Sequence, residues 1–121
     1  VIIWGSGTPK REFLYVDDMA EASLFIHNLD KEIVAAHTQP RMSHINVGAG
    51  TDLTIKELAE IIKEIIGFSG KLLFDQNKPD GTPRKLMDVS FMKGLGWSPR
   101  IPLDVGLKKS YENYVNGCAQ L

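Results

Sequence analysis

Cysteine is nearly absent: Cys118 is the only one in 121 residues. An internal disulfide framework is thereby excluded, and so is a metal site built from cysteines. Surplus charge is lacking as well, since 14 Lys and Arg stand against 15 Asp and Glu, for a formal net charge of −1. Gripping nucleic acid through bulk charge needs a basic excess that this chain does not have. Two or three local cations still suffice for one small phosphate ligand. No apolar run approaches the ~18 residues that a membrane-spanning helix needs. The chain opens at Val1 in a strand-like run, with no signal-peptide pattern. These absences lead us to expect a soluble, cytoplasmic piece of something larger. What is present is ordinary for a globular domain: 43% hydrophobic and 24% charged residues, in a length that buries a real core as one domain over residues 1–121.

Turn and period signals divide the chain into short strands alternating with helices, which predicts an α/β unit with α+β character. Val1–Trp4 reads as a strand ended by Gly5-Ser6-Gly7-Thr8-Pro9, and Phe13–Val16 as a second. Asp17 is expected at the N-cap of a helix carrying Met19, Ala22, Ile26 and Leu29 on one face. Lys31–Ser43 has no clean period and reads as a loop with frayed helix at its start. His44–Val47 is expected as a strand, broken by Gly48-Ala49-Gly50. The clearest helix follows: Thr54 and Glu57 fit a capping box, and Ile55, Leu58, Ala59, Ile62, Ile65 and Ile66 share one face. Gly67 suits a left-handed cap. Lys71–Phe74 reads as a strand, followed by a polar loop from Asp75 to Arg84. Ser90 is expected to cap a short helix that Gly94 and Gly96 end. Pro102 fits the first turn of a last helix with Leu103, Leu107, Tyr111, Tyr114 and Val115 as its apolar positions.

Several tempting motifs fail on spacing. Gly48-Ala49-Gly50 sits where a dinucleotide-binding turn would be, but the third small position of that fingerprint is Leu53. Gly5-Ser6-Gly7 fails in the same way at Lys10. His27, His37 and His44 show no i,i+4 pairing and read as structural or surface residues. Asp17-Asp18 is explained by an N-cap and an acidic first turn. Trp97, behind Gly94-Leu95-Gly96, reads as packing at a helix end. What remains is a set of anion-binding and stacking residues on turns: Trp4, Arg11, Arg84 and Lys85. Arg presents a planar fork to phosphate, Lys a mobile point charge, and indole a flat face. Two readings stay open here, a diphosphate site or solvated surface charge beside one core tryptophan.

The stretch Arg11-Glu12-Phe13-Leu14-Tyr15-Val16-Asp17-Asp18-Met19-Ala20 resembles the opening of the substrate-domain helix in extended short-chain dehydrogenase/reductases acting on nucleotide sugars. Asn46-Val47-Gly48 with Thr54–Ala59 is similar to the same superfamily. Three more stretches narrow the resemblance to the GDP-L-fucose synthase family: Trp4–Pro9, Thr38-Gln39-Pro40 with Ser43–Gly48, and Lys78-Pro79-Asp80-Gly81-Thr82-Pro83-Arg84-Lys85. The last is the most specific.

The resemblance implies a small carboxy-terminal substrate-binding domain whose Rossmann catalytic half is absent. It implies an NADPH-dependent epimerase–reductase converting GDP-4-keto-6-deoxy-D-mannose to GDP-L-fucose, homodimeric when whole. Family positions assigned to substrate fall on Trp4, Arg11 and Lys85, with Asp80 as a further contact and Arg84 as a possible one. Trp4 has the alternative of packing under its loop, and Asp80 of holding its turn through an Asx-type bond. No catalytic, cofactor or metal residue is expected in this chain. A search for Tyr-x-x-x-Lys meets Met19 after Tyr15, Val115 after Tyr111 and Cys118 after Tyr114. The family's glycine motif, catalytic Ser and acid/base Cys and His are expected upstream, and Cys118 is not that Cys. The chain alone is expected to be inactive, with the catalytic half and a GDP-sugar as partners. The alternatives are the substrate domain of another nucleotide-sugar epimerase or dehydratase, and a binding module without chemistry.

Overall fold

A computed structural model describes residues 1–118 and the side chains of residues 1–117. The Cys118 thiol lies outside that description. The described elements are β1 (Ile2–Trp4), β2 (Lys10–Arg11), α1 (Val16–His27), α2 (Lys31–His37), β3 (Leu53–Thr54), α3 (Ile55–Ile65), β4 (Leu73–Asp75), β5 (Arg84–Lys85), α4 (Ser90–Gly94) and α5 (Leu103–Cys118). This is a small α/β unit. In one sheet β1 runs parallel to β4, with Ile2 opposite Leu73 and Trp4 opposite Asp75. In the other, β2 lies between antiparallel β3 and parallel β5. No helix among the described residues is long and apolar enough to cross a membrane.

The core is compact and gathers around α1. Ala22, Met92 and Trp97 are buried, and Leu14, Phe25, Ile26, Ile45 and Val47 pack on them. Trp97 is only 6% exposed, which agrees with packing at a helix end, and its indole N–H finds no partner among the described residues. The α3 capping box is present: the Thr54 hydroxyl accepts from the Glu57 amide at 3.1 Å, and the Glu57 carboxylate accepts from the Thr54 amide at 2.7 Å. The Thr54 amide, and then the Thr54 hydroxyl that donates to the same carboxylate at 2.8 Å, stabilise the ionised form and hold the Glu57 pKa below its ordinary value. Gly67 takes the left-handed cap position at φ 66°.

Other expectations are corrected. Phe13–Tyr15 is extended but forms no strand, because the β2 ladder stops where Arg11 faces Lys85 and Leu53. The helix then begins at Val16, with Tyr15 at the N-cap and no side-chain cap bond, so Asp17 lies inside the first turn. Asp18 is no surface partner of the helix dipole. It is 2% exposed, and its two carboxylate oxygens accept the Arg100 and Ile101 amides, each at 3.0 Å. Met19, assigned to the apolar face, is largely exposed. The helix expected as a frayed start to Lys31–Ser43 is a two-turn helix, α2, and only the remainder is loop. His44–Val47 has no ladder partner, although Ile45 and Val47 do face the core. The fourth strand is Leu73–Asp75, two residues later than expected at its start. Ser90 is the first residue of α4 rather than its cap, and the Asp88 carboxylate, two residues earlier, accepts its amide at 2.9 Å.

Asp18 joins α1 to the segment entering α5, so its loss strands two amides in a buried place. Asp18→Ala is expected to lower unfolding free energy by about 3 kcal/mol in a urea titration. Ser23→Ala, which removes an exposed hydroxyl on the same helix, is expected to change it by no more than about 0.5 kcal/mol.

Candidate substrate-binding site

Two segments lie side by side and carry every residue of the expected site: the run from Trp4 to Arg11, and the loop from Asp75 to Lys85. Backbone bonds tie their ends, from Gly5 N–H to the Asp75 carbonyl at 2.9 Å and from Lys10 N–H to the Pro83 carbonyl at 2.8 Å. Between these ties Asp80 forms a clasp. One of its carboxylate oxygens accepts the Ser6 amide at 2.8 Å, and the other accepts the Ser6 hydroxyl at 2.7 Å. Only glycine fits beneath it: Gly5 has φ 82°, and a Cβ there would run into the Asp80 carboxylate. The Ser6 hydroxyl, then the Ser6 amide, holds the Asp80 pKa below its ordinary value.

Trp4 does not pack under its loop. It is 71% exposed, with the Lys78 ammonium 5.3 Å from its ring centroid. Arg11 and Lys85 are register partners on adjacent parallel strands, so their side chains leave the same face of the sheet. Arg11 Nη1 donates to the Thr82 carbonyl at 2.7 Å and to its neighbour's, Lys10, at 2.6 Å. That uses two of five guanidinium donors and leaves three uncommitted among the described residues. Strand alternation sends Arg84 to the opposite face, where it meets Asp52 in an ion pair. The Asp52 side chain is 6% exposed and that of Arg84 is 60% exposed. Their hydrogen bond holds the Asp52 pKa down and the Arg84 pKa up. Arg11 and Lys85 thus share one sheet face, Asp80 clasps the turn that follows Trp4, and these tied segments form a strip from which Arg84 is turned toward Asp52.

The strip is an open wall. A hollow of about 310 Å³ elsewhere is lined by Phe13, Asp52, Arg100, Leu103 and their neighbours, and contains none of the four. Neither glycine pair is shaped for a dinucleotide pyrophosphate. The Gly50 amide is taken by the Glu12 carboxylate and the Ser6 amide by Asp80. Glu12 went unnoticed as a sequence feature, yet its other oxygen accepts the Met87 amide at 2.9 Å and so holds the exit from β5. Only its place beside Arg11 hinted at a role. His37 stacks on Phe91 with centroids 4.1 Å apart. Among the described residues no group of three or more His, Cys, Asp or Glu is placed to hold a metal.

The model of the NAD dependent epimerase/dehydratase family matches residues 1–48. The GDP-L-fucose synthase of Escherichia coli strain K12 is 54% identical over 112 residues, covering 93% of this chain and 35% of the relative. Among solved structures, a GDP-6-OMe-4-keto-L-xylo-heptose reductase from Campylobacter jejuni matches with TM-score 0.85 at 41% identity, over 97% of this chain and 34% of that one. A GDP-D-glycero-L-gluco-heptose synthase from the same organism, solved in the presence of NADPH, matches with TM-score 0.81 at 40% identity, over 94% and 32%. The chain therefore spans about a third of the length of the relatives it matches.

The Asp80 clasp has a defined acid limit. Because its folded-state pKa is depressed, its contribution is fully present above the unfolded value of about 3.9 and is lost as pH falls through the folded one. The Ser6 amide resonance is expected to hold its position from pH 7 to about pH 4 and to move only below that. In Asp80→Asn it is expected to be displaced already at pH 7, and an unchanged resonance there would dismiss the clasp.

Proposed function

Since the chain belongs to the NAD dependent epimerase/dehydratase family of extended short-chain dehydrogenase/reductases, we propose that it is the GDP-sugar recognition portion of an NADPH-dependent epimerase–reductase that converts GDP-4-keto-6-deoxy-D-mannose to GDP-L-fucose. The observation that carries this reading is the pairing of Arg11 and Lys85 in register on adjacent strands, with the solvent-exposed Trp4 indole on the adjoining segment. Arg11 offers its fork and Lys85 its point charge to the diphosphate. Trp4 shapes the wall against a ring of the nucleotide sugar. Asp80 accepts a donor from the nucleotide with the lone pairs that Ser6 leaves over. Arg84 serves from the other face, steadying β5 through Asp52.

Anchoring the nucleotide far from the reacting carbons lets binding energy position the sugar for proton and hydride transfer. NADPH binding and the transfers belong to the remaining two thirds of the relatives' length, so the chain alone turns over no substrate. That remainder is also the chain's structural partner and the seat of dimerisation. A second reading keeps GDP and changes the sugar. It is favoured by the likeness to the two Campylobacter proteins, whose names place them on GDP-heptoses.

NMR titration of the chain with GDP, UDP and ADP tests the proposal. GDP is expected to bind most tightly, and Lys85→Ala to weaken it about tenfold, as loss of one charge-assisted hydrogen bond does. Arg84→Ala is expected to leave GDP affinity within about twofold, having no ligand contact to lose. An equal response to all three bases would withdraw GDP, and no response in chain joined to its catalytic portion would withdraw the site.

A further inference from the structure

Within the stretch Lys78–Lys85, one cation has no role in the site as described. Lys78 Nζ rests 5.3 Å from the Trp4 ring centroid and takes part in no ion pair among the described residues. Its backbone is fixed on both sides. Upstream, the Lys78 amide donates to the Asp75 carbonyl at 3.1 Å, and Asn77 donates its amide and side chain to the Asp75 carboxylate at 3.0 and 3.1 Å. Downstream, Asp80 grips Ser6. Only the flexible four-carbon stem is left to move.

We propose that Lys78 is a further ligand-binding residue, a mobile third cation for the diphosphate of a nucleoside diphosphate. This rests on the reading of the Trp4–Lys85 strip as a nucleotide wall. An ammonium over an exposed indole is held by a weak quadrupole attraction. A phosphate oxygen offers it a charge-assisted hydrogen bond, which is the stronger partner. A diphosphate arriving on Arg11 and Lys85 draws the Lys78 ammonium off the ring, and the freed indole face then accepts a ring of the ligand. One side chain in this way couples recognition of charge to recognition of a flat or apolar surface.

The test follows the Trp4 indole N–H resonance, identified by its loss in Trp4→Phe, during titration with inorganic pyrophosphate, guanosine and GDP. Pyrophosphate has no ring to stack, so any shift it causes at Trp4 reports the departing cation. It is expected to shift that resonance in the unaltered chain and not in Lys78→Met. Lys78→Met is expected to weaken GDP about tenfold, Lys78→Arg to restore it, and guanosine to bind both forms alike. GDP affinity within twofold of the unaltered chain in Lys78→Met, with Lys85→Ala still impaired, would overturn the role of Lys78 and leave the wall standing. Failure of the chain joined to its catalytic portion to bind either GDP or pyrophosphate would overturn both.

Discussion

The Glu12 carboxylate holds the rest of this fold in register. From the connector between β2 and α1 it accepts the backbone amides of Gly50 and Met87, two segments that share no strand. Asp18 repeats the device on Arg100 and Ile101, and Asp80 repeats it on Ser6. Each carboxylate reaches an amide more than thirty residues away in sequence, and each bond is assisted by charge. The reason lies in the core. Ala22, Val89, Met92 and Trp97 are its buried hydrophobic residues among those described, too few to fix four long connections by packing. Ties from carboxylate to amide take over where apolar burial runs out.

The same economy builds the site. No side chain of the wall is placed by deep burial; each is placed by a backbone anchor beside it. Arg11 follows from its carbonyl contacts, Lys85 from its register with Arg11, and Trp4 from the clasp on Ser6 two residues after it. Strand alternation then sorts the cations. Arg11 and Lys85 fall on one face, while Arg84 falls on the other and is neutralised by Asp52. Adjacent cations of similar exposure acquire different duties from a period of two residues.

Local chemistry was readable from the sequence wherever it acts over one helical turn. The Thr54–Glu57 box and the Gly67 cap are set by neighbours three or four residues apart, and both stand where their pattern put them. The failures lie where the deciding partner is remote. Phe13–Tyr15 has the continuous apolar run of a buried strand and His44–Val47 the alternation of a half-buried one, but a strand needs a second one, and these two find none. The two-residue ladders β2, β3 and β5 were invisible for the converse reason, being made entirely by pairing. Asp18 looked like a surface acid because its partners lie 82 and 83 residues away. The cations of the site stood out by residue type and turn context, and which face each would take depended on a register that no local window contains.

That register also explains why the wall is open. Ile2, Trp4 and Leu73 lie on one face of the β1–β4 pair, and all three are largely exposed. Parallel strands are ordinarily covered on both faces, whereas this pair is bare on the face that carries Ile2, Trp4 and Leu73. In the proposed function the part that covers it is apolar beside Ile2 and Leu73 and leaves room for an anion beside Arg11 and Lys85. A ligand held between that part and the wall would be shielded from water, where each cation–phosphate contact strengthens as the dielectric falls. The wall on its own leaves those contacts wet. Under the proposed function, affinity and positioning grow together as the covering part closes over the wall, which would couple recognition here to the chemistry carried across from it.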